Sequence, residues 1–367
     1  MSTQRSFLVL PFLILASLTL LSAQGEAASQ PPDQIELKLD TSEAEAVLSI
    51  LDKRGSGSTV TDADWQRVFK TEPYVRLKKR EAAMHRDFTD DDFRKFVLTP
   101  ELGAKASTLR QTLDAWKHAN LDVSAKRVLA FLPQQAVIRA KVFPVIKPKT
   151  NSFVFESATD PAIFLYLDPA QSAAKFENTV AHELHHIGYS SIGSLADTKQ
   201  KDAAPTVKPA LEWMGAFGEG FAMLAAAGGP DADPHATSST EEHARWDHDL
   251  ANFNNDLNSL QEFFLDIVDQ RFTGKEKIDE KAYTFFGDAQ GPWYTVGYKM
   301  AVVIEKRFGR KVLIDCMLDP RELLSRYNQA ANESNPSGQQ KLATWSPELM
   351  AKISMRLADS SHNPPKQ

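Results

Sequence analysis

The residues with the clearest chemical potential stand together as His182-Glu183-Leu184-His185-His186. On an α-helix, positions four apart project within about 40° of each other and one turn apart, so His182 and His186 share a face. Two imidazoles placed in this way can both bind one ion at about 2.0–2.1 Å, the zinc–nitrogen distance. Glu183 lies one step round the helix, where its carboxylate can reach a metal-bound water without being a ligand. The pentad therefore predicts a zinc site, and we expect His185 on the surface or in a cleft and not as a ligand.

A catalytic zinc site needs another protein ligand and keeps one position open for water. Glu212 and Glu219 belong to a second predicted helix and are seven residues apart, so periodicity places them on one face and cannot choose between them. Gly218, Gly220 and Ala222 surround Glu219 with small side chains, which would let this helix approach the pentad helix closely. We therefore expect Glu219 to be the third ligand, with Glu212 as the alternative.

The pentad needs a helix to position it, and the flanking residues predict one. Asp168 is suited to the N-cap and Gly188 to a left-handed C-terminal position. An apolar stripe that can bury against a core is formed by Ala173, Phe176, Val180, Leu184 and Ile187.

The surrounding elements are mostly helices with a small sheet among them. Helical periodicity runs from Ser42 to Leu132 and includes a helix capped by Thr61. Short segments rich in Val, Ile and Phe predict strands at 136–146, 152–156 and 162–167. Helices resume after the last strand, with a loop at 190–209. The expected fold class is α+β and predominantly helical, with the small sheet preceding the active-site helix. The strand at 162–167 is a candidate edge on which an extended peptide could add.

The first 23 residues read as a secretory signal peptide. Arg5 precedes an apolar run from Phe7 to Leu21, and small residues follow as far as Ala23. We expect the mature chain to be secreted or periplasmic, with no further segment able to span a membrane. The organisation that we predict is a signal peptide at 1–23, a linker at 24–34, a helical N-terminal region at 35–135, a catalytic region at 136–355 and a polar tail at 356–367.

Composition excludes several classes of function. The formal net charge of −6 disfavours a nucleic acid as partner. The single cysteine, Cys316, excludes a disulfide framework and a Cys-rich zinc finger. The polar stretch that contains His235, His243 and His248 is expected to be a solvated loop and helix start and not a second metal site. The oligomeric state stays open.

The pentad and the downstream Glu-Gly-Phe-Ala segment resemble the gluzincin clan of zinc metallopeptidases, which includes thermolysin and aminopeptidase N. The resemblance implies a zincin-like catalytic core and Zn²⁺ as cofactor. It also implies His182, His186 and Glu219 as the metal ligands and Glu183 as the general base. The layout of the mature chain is similar as well to a bacterial family of "putative zinc-dependent peptidases".

A further segment, Pro292-Trp293-Tyr294-Thr295-Val296-Gly297, resembles the Pro-Tyr-x-x-Gly segment of aminopeptidase N, with Trp293 inserted. The resemblance implies Tyr294 as a catalytic residue, a neutral phenol that donates to the oxyanion. Tyr298 lies about one helical turn further on and is the competitor for this role.

Other features depart from these relatives. Residues 188–211 form an insertion relative to thermolysin and aminopeptidase N, and Met223 stands where thermolysin has an aspartate. The aminopeptidase anchor sequence Gly-x-Met-Glu-Asn is absent, so an aminopeptidase specificity is not expected.

We expect the protein to be an exported zinc-dependent hydrolase, a peptidase that acts on a peptide or protein. The attacking water would be activated by zinc, with Glu183 as the general base. The alternative is a zinc-containing, catalytically degenerate binding protein, which a fourth protein ligand to the metal would favour.

Overall fold

The computed structural model describes residues 34–287, 290–335 and 342–356. The predicted signal peptide, residues 24–33 of the linker and residues 357–367 of the polar tail lie outside the described residues. Helices predominate around one small sheet, so the prediction of a mostly helical α+β fold is confirmed. None of the described helices is both long and apolar enough to cross a bilayer.

The sheet has four strands in the order β1-β2-β4-β3. These strands are β1 (Ile35–Leu39), β2 (Ile138–Val145), β3 (Phe153–Phe155) and β4 (Ala162–Tyr166). β1, β2 and β4 run parallel, with Ile35 opposite Ile138 and Lys141 opposite Ala162, and β3 pairs antiparallel with β4. The three predicted strands are confirmed within a few residues at each end.

Two expectations about the sheet were wrong. β4 is not an edge strand, because β2 and β3 pair with it on either side, so a peptide cannot add there. β1 was not predicted, although its sequence Ile-Glu-Leu-Lys-Leu alternates apolar and polar residues as a half-buried strand does. β1 lies in the predicted N-terminal region and pairs with β2 of the predicted catalytic region. The division between those two regions stays a prediction.

Helices fill the interval between the first two strands. They are α1 (Ser42–Gly55), α2 (Asp62–Phe69), α3 (Glu72–Ala83), α4 (Asp90–Val97), α5 (Pro100–Lys117) and α6 (Leu121–Leu129). The predicted start at Thr61 is confirmed, since Thr61 and Asp64 form a capping box at the N-terminus of α2.

Helices also make up the chain after the sheet, as predicted. They are α7 (Ala173–Ser190), α8 (Gly193–Gln200), α9 (Lys208–Met214), α10 (Gly218–Ala227), α11 (Thr240–Ala251), α12 (Phe253–Val268), α13 (Lys275–Thr284), α14 (Pro292–Phe308), α15 (Arg310–Cys316), α16 (Pro320–Ser334) and α17 (Pro347–Ile353). A short 3₁₀ helix, Gly215–Phe217, joins α9 to α10. The predicted loop at 190–209 was wrong in part, because α8 lies within it.

The two faces of the sheet are covered by different helices. Phe143, Phe164 and their neighbours on one face pack with Leu77 of α3. The other face belongs to the main core, which includes Val180 and Leu184 of α7. Burial of each such side chain contributes about 1.5–3 kcal/mol, so the apolar stripe fixes which face of α7 meets the sheet. The face that carries His182 and His186 is thereby turned towards Glu219 of α10.

Candidate metal centre and active site

The helix that carries the pentad, α7, begins and ends later in the chain than the sequence indicates. Its N-cap is Ser172, whose hydroxyl accepts from the backbone N–H of Lys175 at 3.1 Å. The expectation of Asp168 as the cap was wrong, because its carboxylate accepts from the N–H of Ala170 in the preceding turn. Gly188 does not end the helix either. It is buried inside α7, where a Cβ would lie 2.3 Å from the Leu132 side chain.

A break between α9 and α10 separates the two candidate glutamates. Glu212 lies on α9 and Glu219 on α10, with the 3₁₀ turn between them, so the expectation that they share one helical face was wrong. Glu212 is exposed and lies near Lys275, whose pKa it helps to raise. Glu219 faces α7. The structure thus brings Glu219 to the two histidines and leaves Glu212 on the surface.

His182, His186 and Glu219 place three donor atoms in a nearly equilateral triangle. His182 Nε2 lies 3.1 Å from His186 Nε2, and Glu219 Oε2 lies 3.1 Å from the first nitrogen and 3.2 Å from the second. Ligands at about 2.0–2.1 Å from a tetrahedral zinc ion lie roughly 3.3–3.4 Å from one another. The distances between these three atoms are therefore close to the ligand–ligand distances around a tetrahedral zinc ion.

The chemistry of this donor set also fits a cation. Lone pairs of two imidazoles and a carboxylate at such short range repel one another unless a proton or a cation lies between them. Burial alone would raise the pKa of Glu219, but the two imidazoles hold that pKa well below its usual range. Burial alone would lower the pKa of His186, but the carboxylates of Glu219 and Glu183 outweigh this effect, so that the pKa of His186 is raised. Among the described residues, no other His, Cys, Asp or Glu joins this cluster.

Tyr294 lies beside the triangle, and Glu183 is close enough to raise the pKa of both His186 and Tyr294. The Tyr294 ring stacks near the His182 ring, with 6.2 Å between centroids and 19° between planes. Burial, together with the carboxylates of Glu219 and Glu183, raises the pKa of Tyr294 far above its usual range. Its phenol therefore stays neutral and keeps its proton for donation.

Tyr298 has different neighbours. Its hydroxyl donates to the carbonyl oxygen of Ala232 at 3.4 Å, and its ring packs against Trp246. Burial raises the pKa of Tyr298 to about 12, and the carboxylates that add to this effect are Asp233 and Asp231. The structure therefore brings Tyr294 to the triangle and does not bring the Tyr298 hydroxyl there.

A close contact between α10 and α14 holds Tyr294 in place. A Cβ at Gly220 would lie 1.9 Å from the backbone nitrogen of Tyr298, and one at Gly297 would lie 2.5 Å from the carbonyl oxygen of Phe217. The small residues of α10 were expected to allow an approach to the pentad helix, and Gly220 instead allows an approach to α14. Gly218 has no atom within 4 Å of a Cβ position.

His185 is buried and not on the surface, with about 1% of its area exposed. It lines a cavity of about 140 Å³ that also touches His186 and Glu219. Apolar side chains of this cavity include Met214, Phe221, Met317 and Leu323. Neither ring nitrogen of His185 has a hydrogen-bond partner among the described residues. We call this space the His185 cavity. Sequence reasoning missed it because its walls come from segments far apart in the chain.

The insertion supplies part of the His185 cavity. Gln200, the last residue of α8, lines it, and Asp202 forms an ion pair with Arg321 at 3.1 Å. Tyr189 and Gln200 of this segment therefore contribute to the wall of the cavity beside the pentad.

The Nδ1 atom of His182 is buried without a partner among the described residues, so no second carboxylate orients that ring there.

In the polar stretch, His243 pairs with Asp233 at 2.9 Å and with Asp247 at 3.2 Å. His235 bonds to Ser238. The described residues of this stretch do not form a second metal-ligand cluster.

Comparison with known proteins yields one family. Residues 65–336, more than half of the chain, match the model of a family described as "Putative zinc dependent peptidase (DUF5700)". No curated protein and no solved structure matches the chain.

Proposed function

The chain belongs to the zinc-dependent peptidase family that it matches, and from that premise we propose that it is an exported hydrolase of peptide bonds with Glu183 as its general base. Zinc is the cofactor, and we propose His182, His186 and Glu219 as its ligands. The observation that carries this proposal is the triangle of donor atoms with edges of 3.1–3.2 Å, with Tyr294 beside it and Glu183 close enough to raise the pKa of His186. This arrangement supports the gluzincin type of site.

Each group has a part in cleaving the bond. When bound, zinc supplies positive charge that acidifies water and polarises a carbonyl group. The carboxylate of Glu183 accepts a proton from the water as its oxygen bonds to the carbonyl carbon. Glu183 then gives that proton to the amine that leaves when the carbon–nitrogen bond breaks. The Tyr294 hydroxyl donates a hydrogen bond to the carbonyl oxygen as negative charge develops there.

Three glutamate variants of the zinc-loaded chain test these roles. Glu183→Gln keeps the size of the side chain but cannot accept a proton, so we expect zinc to be retained and hydrolysis of a peptide library to fall about 10²–10⁴-fold. Glu219→Gln should weaken zinc binding itself. Glu212→Gln is the matched control on the surface and should change neither property.

Zinc analysis and mass-spectrometric detection of the peptide products measure both outcomes. A zinc-loaded wild-type chain that cleaves no peptide in a broad library would contradict the proposal and support the zinc-containing binding protein. If Glu183→Gln instead lost zinc, and Glu219→Gln kept zinc but lost hydrolysis, the roles proposed for these two glutamates would be exchanged.

Export rests on the sequence of residues 1–23. We propose that cleavage follows Ala23 and that the mature chain is periplasmic or secreted. Mass spectrometry of the native protein should show an N-terminus at Gln24 in the exported fraction. An intact N-terminus in the cytoplasmic fraction would contradict this.

A further inference from the structure

The His185 cavity adjoins the proposed reaction centre. It touches His186 and Glu219, two of the three proposed ligands, so a substrate side chain inside it would belong to a residue next to the cleaved bond. Its volume of about 140 Å³ is close to that of an apolar protein cavity that holds benzene, about 150 Å³. The cavity is therefore of the size that one six-membered ring requires.

The lining favours an aromatic ring over an aliphatic chain. Met214 and Met317 supply two thioether sulfurs, and Phe221 supplies a ring. Contacts between a thioether sulfur and an aromatic ring contribute about 0.3–1.5 kcal/mol. Among the described lining residues, no Lys or Arg is present and Glu219 is the only carboxylate. A charged side chain would find no counterion there other than a group already assigned to the metal.

His185 adds a polar requirement to this space, whose lining also includes the polar residues Tyr189 and Gln200. Its two ring nitrogens are buried and have no partner among the described residues. A buried polar group left without a hydrogen bond costs about 1–3 kcal/mol, which a ligand can recover by supplying the missing partner. A phenol hydroxyl both donates and accepts, so it matches an imidazole nitrogen in either tautomer.

We propose that the His185 cavity binds the side chain of a substrate tyrosine and that His185 is the specificity-determining residue. This inference rests on the proposed peptidase function. The tyrosine ring occupies the space between Met214, Phe221 and Met317, and its hydroxyl makes a hydrogen bond with His185.

Small aromatic probes test the cavity without any hydrolysis. We expect the zinc-loaded chain to bind p-cresol, the side-chain analogue of tyrosine, at least tenfold more tightly than toluene, the analogue of phenylalanine. Dissociation constants from ligand-observed NMR titrations measure this. In a purely apolar cavity the order is reversed, because the hydroxyl of p-cresol loses its hydrogen bonds to water without replacement.

His185→Leu removes the polar partner at similar volume and should reverse the order of the two probes. His248→Leu, the same change at an exposed position of α11, should leave the order as in wild type. The wild-type comparison decides the question even if His185→Leu fails to fold. Tighter binding of toluene by the wild-type chain, or binding of neither probe, would overturn the inference.

Matched peptides separate this inference from the proposed function. For peptides that differ only in Tyr or Phe beside the cleaved bond, we expect at least a tenfold higher kcat/KM with Tyr, and loss of that preference in His185→Leu. Preferred binding of p-cresol without cleavage of any peptide would contradict the proposed function and leave the cavity assignment standing. Cleavage with no Tyr preference, together with tighter binding of toluene, would overturn the cavity assignment alone.

Discussion

At the scale of single residues, two carboxylates of like chemistry are set apart by their surroundings. Glu219 faces two imidazoles that hold its pKa well below the usual range, so it is a permanent anion suited to a cation. Glu183 lies near Tyr294 and His186, whose pKa values it helps to raise. This difference in environment supports a ligand role for Glu219 and a proton-transfer role for Glu183.

Replacing Tyr294 tests the donor to the oxyanion. Tyr294→Phe removes only the hydroxyl, so kcat and kcat/KM should fall together by about a hundredfold while the zinc content is unchanged. Steady-state kinetics with a cleaved peptide measures this effect. Tyr298→Phe is the matched control, since its hydroxyl bonds to Ala232, and it should keep kcat within about threefold of wild type. The opposite pattern would move the role to Tyr298.

At the scale of the elements, the position of Tyr294 depends on how closely α10 and α14 pack. A Cβ at Gly220 would meet backbone atoms of α14 at 1.9–2.6 Å, a distance that no rotation of a side chain can relieve. The helices would have to move apart, which would withdraw Tyr294 from Glu219. Gly220, beside Glu219, thus allows α10 to pack closely against α14, the helix that carries Tyr294.

Two alanine substitutions on α10 measure the value of this contact. Gly220→Ala should lower the free energy of unfolding by about 1–3 kcal/mol through overpacking. Gly218→Ala introduces the same methyl group two residues away, where nothing lies within 4 Å, and should raise stability by about 0.5–1 kcal/mol. Urea denaturation followed by circular dichroism compares them. Equal effects of both substitutions would contradict the packing argument.

How much of the site could be predicted from the sequence depends on the range of the interactions that form it. His182 and His186 depend on local helical spacing, and the residue pattern sufficed to bring them together. The structure places Glu219, and not Glu212, beside the histidines. The sequence argument assumed one continuous helix, because the 3₁₀ turn at 215–217 is not visible as a period. The His185 cavity is lined by residues from separate segments, such as Gln200 and Met317, so no local pattern indicates it. β1 could have been found from its alternation.

At the scale of the whole molecule, ionisable groups buried away from the site couple folding to pH. Glu43 at the start of α1 is fully buried, and one of its oxygens accepts from the N–H of Ile146 at 2.9 Å, just beyond β2. Burial raises the pKa of Glu43 from 4.5 to about 8. The folded chain therefore holds this proton more tightly than the unfolded chain does.

The raised pKa of Glu43 makes the folded chain less stable as the pH rises. The contribution of Glu43 to stability is fully present below about pH 4.5 and decreases by about 1.4 kcal/mol per pH unit until pH 8, above which it is constant. Glu43→Gln cannot lose a proton, so its free energy of unfolding should rise relative to wild type across that window. Urea unfolding at several pH values measures the difference. Glu101→Gln, at an exposed position, is the control, and its free energy of unfolding should change with pH as that of the wild type does. The same parallel pH dependence in Glu43→Gln would contradict the burial argument.

The central claim is that one zinc ion lies among three side chains from two helices. An anomalous difference map at the zinc absorption edge, from a crystal of the purified zinc-loaded chain, tests it directly. We predict one strong peak about 2.0–2.2 Å from Nε2 of His182, Nε2 of His186 and Oε2 of Glu219. A peak that lies instead beside Glu212 or His243, or no zinc peak at all, would contradict the account.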